Sequence, residues 1–180
     1  DITERLTREV QVHNEMVRGN GATIEARPET IDAHDLLMDL DAAVRHHPAA
    51  VNRELWFAPL PPDEHLTTDP ALFLRVASNM IINALEATPE GGTVRVWLVP
   101  HADHVTFRVW NAGVIPASIA PRIFQRYFST KGGDGRGQGT YAIKHLGERY
   151  LGGAVGFESS AEYGTSFHLR IPRHLNADPS

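Results

Sequence analysis

The sequence predicts an α+β fold, an α/β two-layer sandwich with a mixed, partly antiparallel five-stranded sheet and about three helices on one face. Three observations lead there. Apolar residues recur at helical spacing in some stretches and in strict alternation in others, so helices and strands share the chain. Two pairs of alternating runs lie close enough in sequence to be hairpins, which makes part of the sheet antiparallel. The length, 180 residues with 42% hydrophobic and 22% charged, suits one core of ordinary size. A doubly wound dinucleotide-binding sheet fails on order, because the glycine cluster at 135–139 does not directly follow a strand.

In order, residues 1–18 are polar with Ile2, Leu6, Val10, Val12 and Val17 at imperfect helical spacing, and Gly19-Asn20-Gly21 stops that helix. Residues 22–27 read as a short strand ended by Pro28. An amphipathic helix over 32–46 follows through Leu36, Leu37, Leu40, Ala43 and Val44. Arg53–Ala58 is a second strand, closed by Pro59–Pro62, with one more short strand near His65-Leu66-Thr67. The strongest helix has Asp69 as its N-cap and Pro70 at its first position. It runs through Leu72, Phe73, Val76, Ala77, Met80, Ile81, Ala84 and Leu85 and ends near Thr88-Pro89. Thr93–Val99 and Val105–Trp110 alternate as a hairpin. Residues 112–138 are punctuated by Gly and Pro around an apolar island, Ile123-Phe124 and Tyr127-Phe128. A last helix covers about 139–151, stopped by Gly152-Gly153, and Ala154–Ser159 with Thr165–Ile171 close the chain as a second hairpin. The expected organisation is a leading helical piece over 1–19, one domain over 20–173 and a disordered tail over 174–180.

The formal charge of −5, from 22 acids and 17 bases, forms no block of like sign, which argues against a nucleic-acid partner. There is no cysteine, so disulfides and thiolate metal sites are excluded. No apolar run approaches the roughly 20 residues that cross a bilayer. Asp1–Arg5 is no signal sequence, and a start without Met inside a helical pattern reads as a piece of something longer.

Three segments carry chemistry. Asn79 and Asn83 lie four apart on an almost wholly apolar helix, so both emerge on one face. They are either a solvent-facing pair, satisfied core amides, or amides facing a ligand cavity, where an amide oxygen can coordinate a hard cation such as Mg²⁺. Asn111-Ala112-Gly113, where a strand ends, is either a plain turn or an acceptor beside a glycine that lets backbone approach a flat ligand. Gly132-Gly133-Asp134-Gly135-Arg136-Gly137-Gln138-Gly139-Thr140 holds five glycines in eight residues before a helix start. It is a flexible loop, or an anion cradle with Lys131 and Arg136 supplying charge, long enough to act as a lid.

Together, in order and spacing, these residues resemble the catalytic domain of sensor histidine kinases, within the superfamily that includes gyrase, Hsp90 and MutL ATPases. Asn79–Ala84 is similar to the family's N-box, and Asn111-Ala112-Gly113 sits where the first glycine box, usually Asp-x-Gly-x-Gly, belongs. Ile123-Phe124 with Tyr127–Lys131 resembles the F-box and lid start, Gly135–Gly139 the second glycine box, and Gly164–Phe167 the final Gly-Thr element. The match covers roughly residues 22–172. The resemblance implies that the cofactors are ATP and Mg²⁺, with Asn83 on the metal and Asn79 beside the phosphates. It implies Asn111 on the adenine amino group, with Ala87, Gly113 and Ile115 at the base and Thr165 supporting it. Thr130, Lys131, Gly135, Arg136, Gly137, Gly139 and Thr140 would close over the phosphates.

By the same resemblance, the γ-phosphoryl group passes in line to a histidine on a dimerisation hairpin that is absent here, Asp1–Arg18 being the end of its second helix. The implied partners are that hairpin, a response regulator downstream and a second copy in the full-length homodimer; the implied location is cytoplasmic. His13 does not match the acceptor motif. Asn111 replaces the usual Asp, Ile115 stands where the second glycine belongs, and Glu86 stands where many members have lysine. These departures leave open an alternative, a nucleotide-binding or partner-binding module with a degenerate site. A serine kinase of the anti-sigma type is a third reading, which the leading helical piece disfavours. His46-His47 and His101 with His104 lack a third ligand nearby in sequence, so zinc is disfavoured.

Overall fold

A computed structural model describes residues 25–125 and 139–175. Its elements are β1 (Glu29–Asp32), α1 (Ala33–Val44), β2 (Glu54–Phe57), β3 (His65–Thr68), α2 (Pro70–Glu86), β4 (Thr93–Pro100), β5 (His104–Asn111), α3 (Gly139–Arg149), β6 (Ala154–Ser160) and β7 (Gly164–Pro172). The main sheet has the order β2-β4-β5-β7-β6, with β2 and β4 parallel and the other pairs antiparallel. A parallel neighbour needs a long crossover, and the chain from β2 to β4 provides it through β3 and α2. β1 and β3 pair antiparallel as a separate two-stranded ribbon.

Alternation decides which sheet face is covered. Val94, Val96 and Leu98 of β4, Val105, Phe107 and Val109 of β5, and Leu169 and Ile171 of β7 are buried. α2 lies over this face, packing against β4, β5 and both other helices, with Phe73 edge-on to Phe107 at 5.4 Å. α3 reaches β6 closely because Gly147 has no side chain: a Cβ there would stand 2.8 Å from Val155 Cγ2 and 2.9 Å from Leu169 Cδ1.

Among the described residues no helix covers the opposite face. All three tryptophans sit on it. Trp56 meets Trp97 edge-on at 6.1 Å, and the Arg95 guanidinium lies 5.2 Å from the Trp110 ring. The Trp110 indole N–H donates to the Tyr163 carbonyl at 2.6 Å. On the same face, burial and then the neighbouring Arg108 hold the His168 imidazole below its ordinary pKa, with Glu158 opposing them.

Asp69 ties the N-terminal segment to the core. Its carboxylate accepts the Leu72 N–H at 3.1 Å, capping α2, and the Arg27 N–H at 2.7 Å. This bond bears on the expected strand at 22–27, of which 22–24 lie outside the described residues. Residues 25–28 are irregular, and β1 begins only after Pro28. The Arg27 N–H is committed to Asp69 and Pro28 has none, so ladder pairing starts at Glu29.

Of the tail expected over 174–180, only His174 and Leu175 are described. The Thr67 N–H donates to Arg173 O at 2.7 Å and the Leu175 N–H donates to Thr67 O at 2.8 Å, extending the ribbon, while Leu175 packs against the core. The leading piece over 1–19 and residues 176–180 lie outside the described residues. Among the described residues no helix is long and apolar enough to cross a membrane.

Replacing Asp69 by Ala removes the α2 cap and the Arg27 tie together. Loss of one cap costs about 1–2 kcal/mol. We expect Asp69→Ala to lower the urea midpoint by at least that cost at an unchanged denaturant slope; an unshifted midpoint contradicts the assignment.

Candidate functional site

Where β5 ends and β7 begins, the register places three polar residues side by side across three strands. Asn111 on β5 pairs with Thr165 on β7, and Thr165 pairs with Ser159 on β6. Asn111 and Thr165 are buried, at 3% and 2% exposure. Gly164 allows the close approach. It takes a φ of +75°, and a Cβ there would collide with the Asn111 carbonyl oxygen.

The loop after Asn111 is bound to this row. The Thr165 hydroxyl donates to the Gly113 carbonyl at 2.8 Å, the Ser159 and Thr165 hydroxyls are 2.8 Å apart, and the Ile115 N–H donates to Ser159 Oγ at 2.8 Å. Gly113 also touches the end of α2. A Cβ on it would lie 2.7 Å from Asn111 Nδ2 and 3.1 Å from the Ala87 carbonyl oxygen. Asn111, Gly113, Ile115, Ala87 and Thr165 thus converge on one end of the site.

Asn79, Asn83 and Ala87 form the stripe of α2 that runs away from that end, four residues apart at each step. The Nδ2 atoms of Asn79 and Asn83 are out of contact with solvent and have no hydrogen-bond partner among the described residues. A buried amide left in this state costs about 1–3 kcal/mol. Both residues are half-buried, so a pair simply facing solvent does not describe their Nδ2 atoms, and neither Nδ2 is satisfied by the described residues. The start of α3 lies beside Asn83. A Cβ on Gly139 would stand 3.6 Å from Asn83 Oδ1 and 3.7 Å from its Nδ2. Gly139 and Thr140 open α3, so its first free N–H groups and the positive end of its dipole face the Asn83 amide.

Phe124 anchors the chain entering the glycine-rich segment. Its ring lies edge-on to Phe157 at 5.8 Å and to Phe167 at 6.1 Å, with the Lys144 ammonium 5.2 Å from its centre. Tyr127, Phe128, Ser129, Thr130, Lys131, Gly135, Arg136 and Gly137 lie outside the described residues. Glu86 is exposed on the last turn of α2.

Ser159 was not singled out by sequence. Its signal was the hairpin register, which places it opposite Thr165 across the 160–164 turn. The histidines considered for zinc have other partners. The Ala49 N–H donates to His47 Nδ1 at 3.1 Å, and His104 bonds to Asp103 at 2.6 Å while stacking on His101 at 4.2 Å. Among the described residues no group of three His, Cys, Asp or Glu is placed to hold a metal.

The arrangement is neutral, amide-lined and closed at one end by a helix N-terminus. It can accept an anion against α3 and a flat polar base against the 111–115 loop. Residues 68–175, more than half of the chain, match the family described as histidine kinase-, DNA gyrase B-, and HSP90-like ATPase. The chain belongs to this ATPase family. The sensor kinase CckA of Brucella abortus is 29% identical over 176 residues, a match covering 82% of this chain and 17% of that protein. The chain therefore spans about a sixth of that relative's length. The catalytic domain of histidine kinase ThkA is 26% identical with a TM-score of 0.73, covering 82% of this chain and 97% of that one. Full-length ShkA, solved in complex with AMPPNP, is also 26% identical with a TM-score of 0.73, covering 97% of this chain and 37% of that one. The two-layer architecture is that of the histidine kinase catalytic domains in this ATPase family.

The contacts of Gly113 leave little room for added volume in the loop after β5. Gly113→Ala should destabilise the domain by about 1–3 kcal/mol, as overpacking does, measured by urea denaturation. Equal stability of the two proteins would refute the close approach.

Proposed function

We propose that this chain is the ATP-binding catalytic domain of a two-component sensor histidine kinase, working on an acceptor histidine carried by a separate helical hairpin. The observation that carries the proposal is the pair of amides on α2, Asn79 and Asn83, whose Nδ2 atoms are buried without a partner among the described residues, the Asn83 amide lying beside Gly139 at the start of α3. Membership of the ATPase family and the sensor kinase relatives support the same reading.

In this reading Asn111 receives the adenine amino group on its amide oxygen, Gly113, Ile115 and Ala87 line the base, and Thr165 holds the loop from beneath. Asn79 donates to phosphate oxygens. Gly139 and Thr140, at the N-terminus of α3, take the triphosphate with Thr130, Lys131, Gly135, Arg136 and Gly137 of the preceding segment. The donor set fits Mg²⁺ better than a softer metal: the Asn83 amide oxygen is a hard ligand, and a magnesium ion otherwise keeps water and phosphate oxygens. Bound there, Mg²⁺ would neutralise charge on the phosphates.

The chemistry asked of the chain is positioning. A histidine ring nitrogen attacks the γ-phosphorus in line, the bond from that phosphorus to the bridging oxygen breaks, and ADP leaves with the electron pair. The protein residues fix the triphosphate along that axis and exclude water, which lowers the entropic part of the barrier. Residues 1–19 are assigned to the end of the hairpin's second helix, 20–173 to the catalytic domain. The full-length protein is assigned as a cytoplasmic homodimer that hands its phosphoryl group to a response regulator.

Asn111 favours one alternative. Without the carboxylate usual at that position, the chain could bind nucleotide as a sensing module and transfer nothing. The two readings separate in one assay, radiolabelled ATP with a supplied hairpin. Labelled histidine supports the kinase, and ATP binding without label supports the module. Asn83→Ala should weaken ATP binding in the presence of Mg²⁺ roughly 10- to 100-fold, the loss expected for a charge-assisted contact, measured by calorimetry. A titration with millimolar ATP and Mg²⁺ that gives no heat and no thermal shift for the unmodified chain would overturn both readings.

A further inference from the structure

Ser159 closes a ring of hydrogen bonds around the loop that the proposed nucleotide site uses for its base. The ring runs from the Ile115 N–H to Ser159 Oγ, from Ser159 to Thr165 Oγ1, and from Thr165 to the Gly113 carbonyl, each step 2.8 Å. The backbone through Val114 completes it.

The direction of every bond is fixed by its ends. The Gly113 carbonyl has no hydrogen, so the Thr165 hydroxyl must donate to it. Thr165 has then spent its only hydrogen, and the contact with Ser159 must be Ser159 donating. Ser159 in turn can only accept from the Ile115 N–H. Only a residue that accepts and donates at once satisfies the Ser159 position, and among side chains of that size a hydroxyl does so.

The consequence is local rigidity. Gly113 and Ile115 are held through two different strands, while Val114 between them turns outward at 49% exposure. The loop has no regular structure of its own. Its position relative to Asn111 and Ala87 is set by this ring and by the tight Gly113 contact.

We propose that Ser159 is a positioning residue for nucleotide affinity: through Thr165 it holds the 113–115 loop in the conformation that receives the purine base. The inference rests on the reading of Gly113 and Ile115 as base-lining residues. It predicts an effect confined to the base end of the ligand. Removing the hydroxyl leaves the Ile115 N–H without its acceptor and Thr165 without its donor, so the loop gains alternatives that binding must then select against.

Calorimetric titration of the whole chain with ATP and Mg²⁺, and separately with ADP, tests it. Ser159→Ala should weaken both nucleotides by the same factor, about tenfold, at unchanged stoichiometry, and Ser159→Thr should restore both. A general loosening of the fold would lower the stoichiometry instead. Should Ser159→Ala not fold, Ser159→Cys replaces it, with similar volume and a poor hydrogen-bonding group. The proposal is overturned if either variant binds ATP within twofold of the unmodified chain, if ATP weakens and ADP does not, or if Ser159→Thr is as weak as Ser159→Ala. An unmodified chain that binds neither nucleotide overturns the nucleotide reading itself, and this inference with it. Normal binding of both by the unmodified chain with no effect at Ser159 overturns this inference alone.

Discussion

α2 has almost no polar side to give to water, and the rest of the domain is arranged around hiding it. From Pro70 to Leu85 its apolar positions, apart from the half-buried Ile82, are buried, and the helix packs against the sheet, α1 and α3. Burying that much apolar surface is the main favourable contribution available to a chain without disulfides. Asp69 lets the helix begin inside the core, because its carboxylate supplies the acceptor that the first turn lacks. A helix covered on so many sides leaves little room for polar groups, and the Nδ2 atoms of the two asparagines on its later turns are buried without a partner among the described residues.

The same burial explains why the site lies where it does. Asn79, Asn83 and Ala87 are one stripe; among the described residues, the start of α3 lies beside Asn83 and the loop leaving β5 beside Ala87. α3 comes close because Gly147 lets it settle on β6 and β7. The β5 loop comes close because Gly113 lets it settle on the end of α2. Two glycines without side chains, one in a helix and one in a loop, thus allow the close packing of the elements on either side of the stripe. Unmet amide donors in such a place are costly to folding, and a site that binds anions recovers that cost only when the ligand is present.

The sheet has two unlike faces. The covered face is aliphatic with a pair of aromatic rings, Phe73 and Phe107, at its centre. The open face holds every tryptophan of the chain, interleaved with Arg95 and Arg108. Alternation along β4 and β5 makes the division inevitable, since consecutive residues point to opposite sides. The hydrogen bond from Trp110 to Tyr163 ties the tip of the last hairpin to β5 from the open side. Thr165 ties it to the β5 loop from the covered side. The hairpin is therefore held on both faces at the point where the candidate site begins.

Local spacing determined a good deal. The cap at Asp69, the helix it opens, the two hairpins and the shared face of Asn79 and Asn83 all follow from contacts within a few residues, and each was legible in the sequence. Motif order was enough to identify the ATPase family. Tertiary structure decided what depends on residues far apart. The ribbon starts only at Glu29, with the Arg27 N–H bonded to Asp69, 42 positions away, and the chain up to Leu175 is tied to the fold by Thr67. Whether the two asparagines were satisfied could not be read from their own helix, since the answer lay in what α3 and the β5 loop bring to them. Ser159 was invisible for the same reason. A serine in a strand has no distinctive local pattern, and only the register across β5, β7 and β6 sets it beside Thr165 and within reach of Ile115.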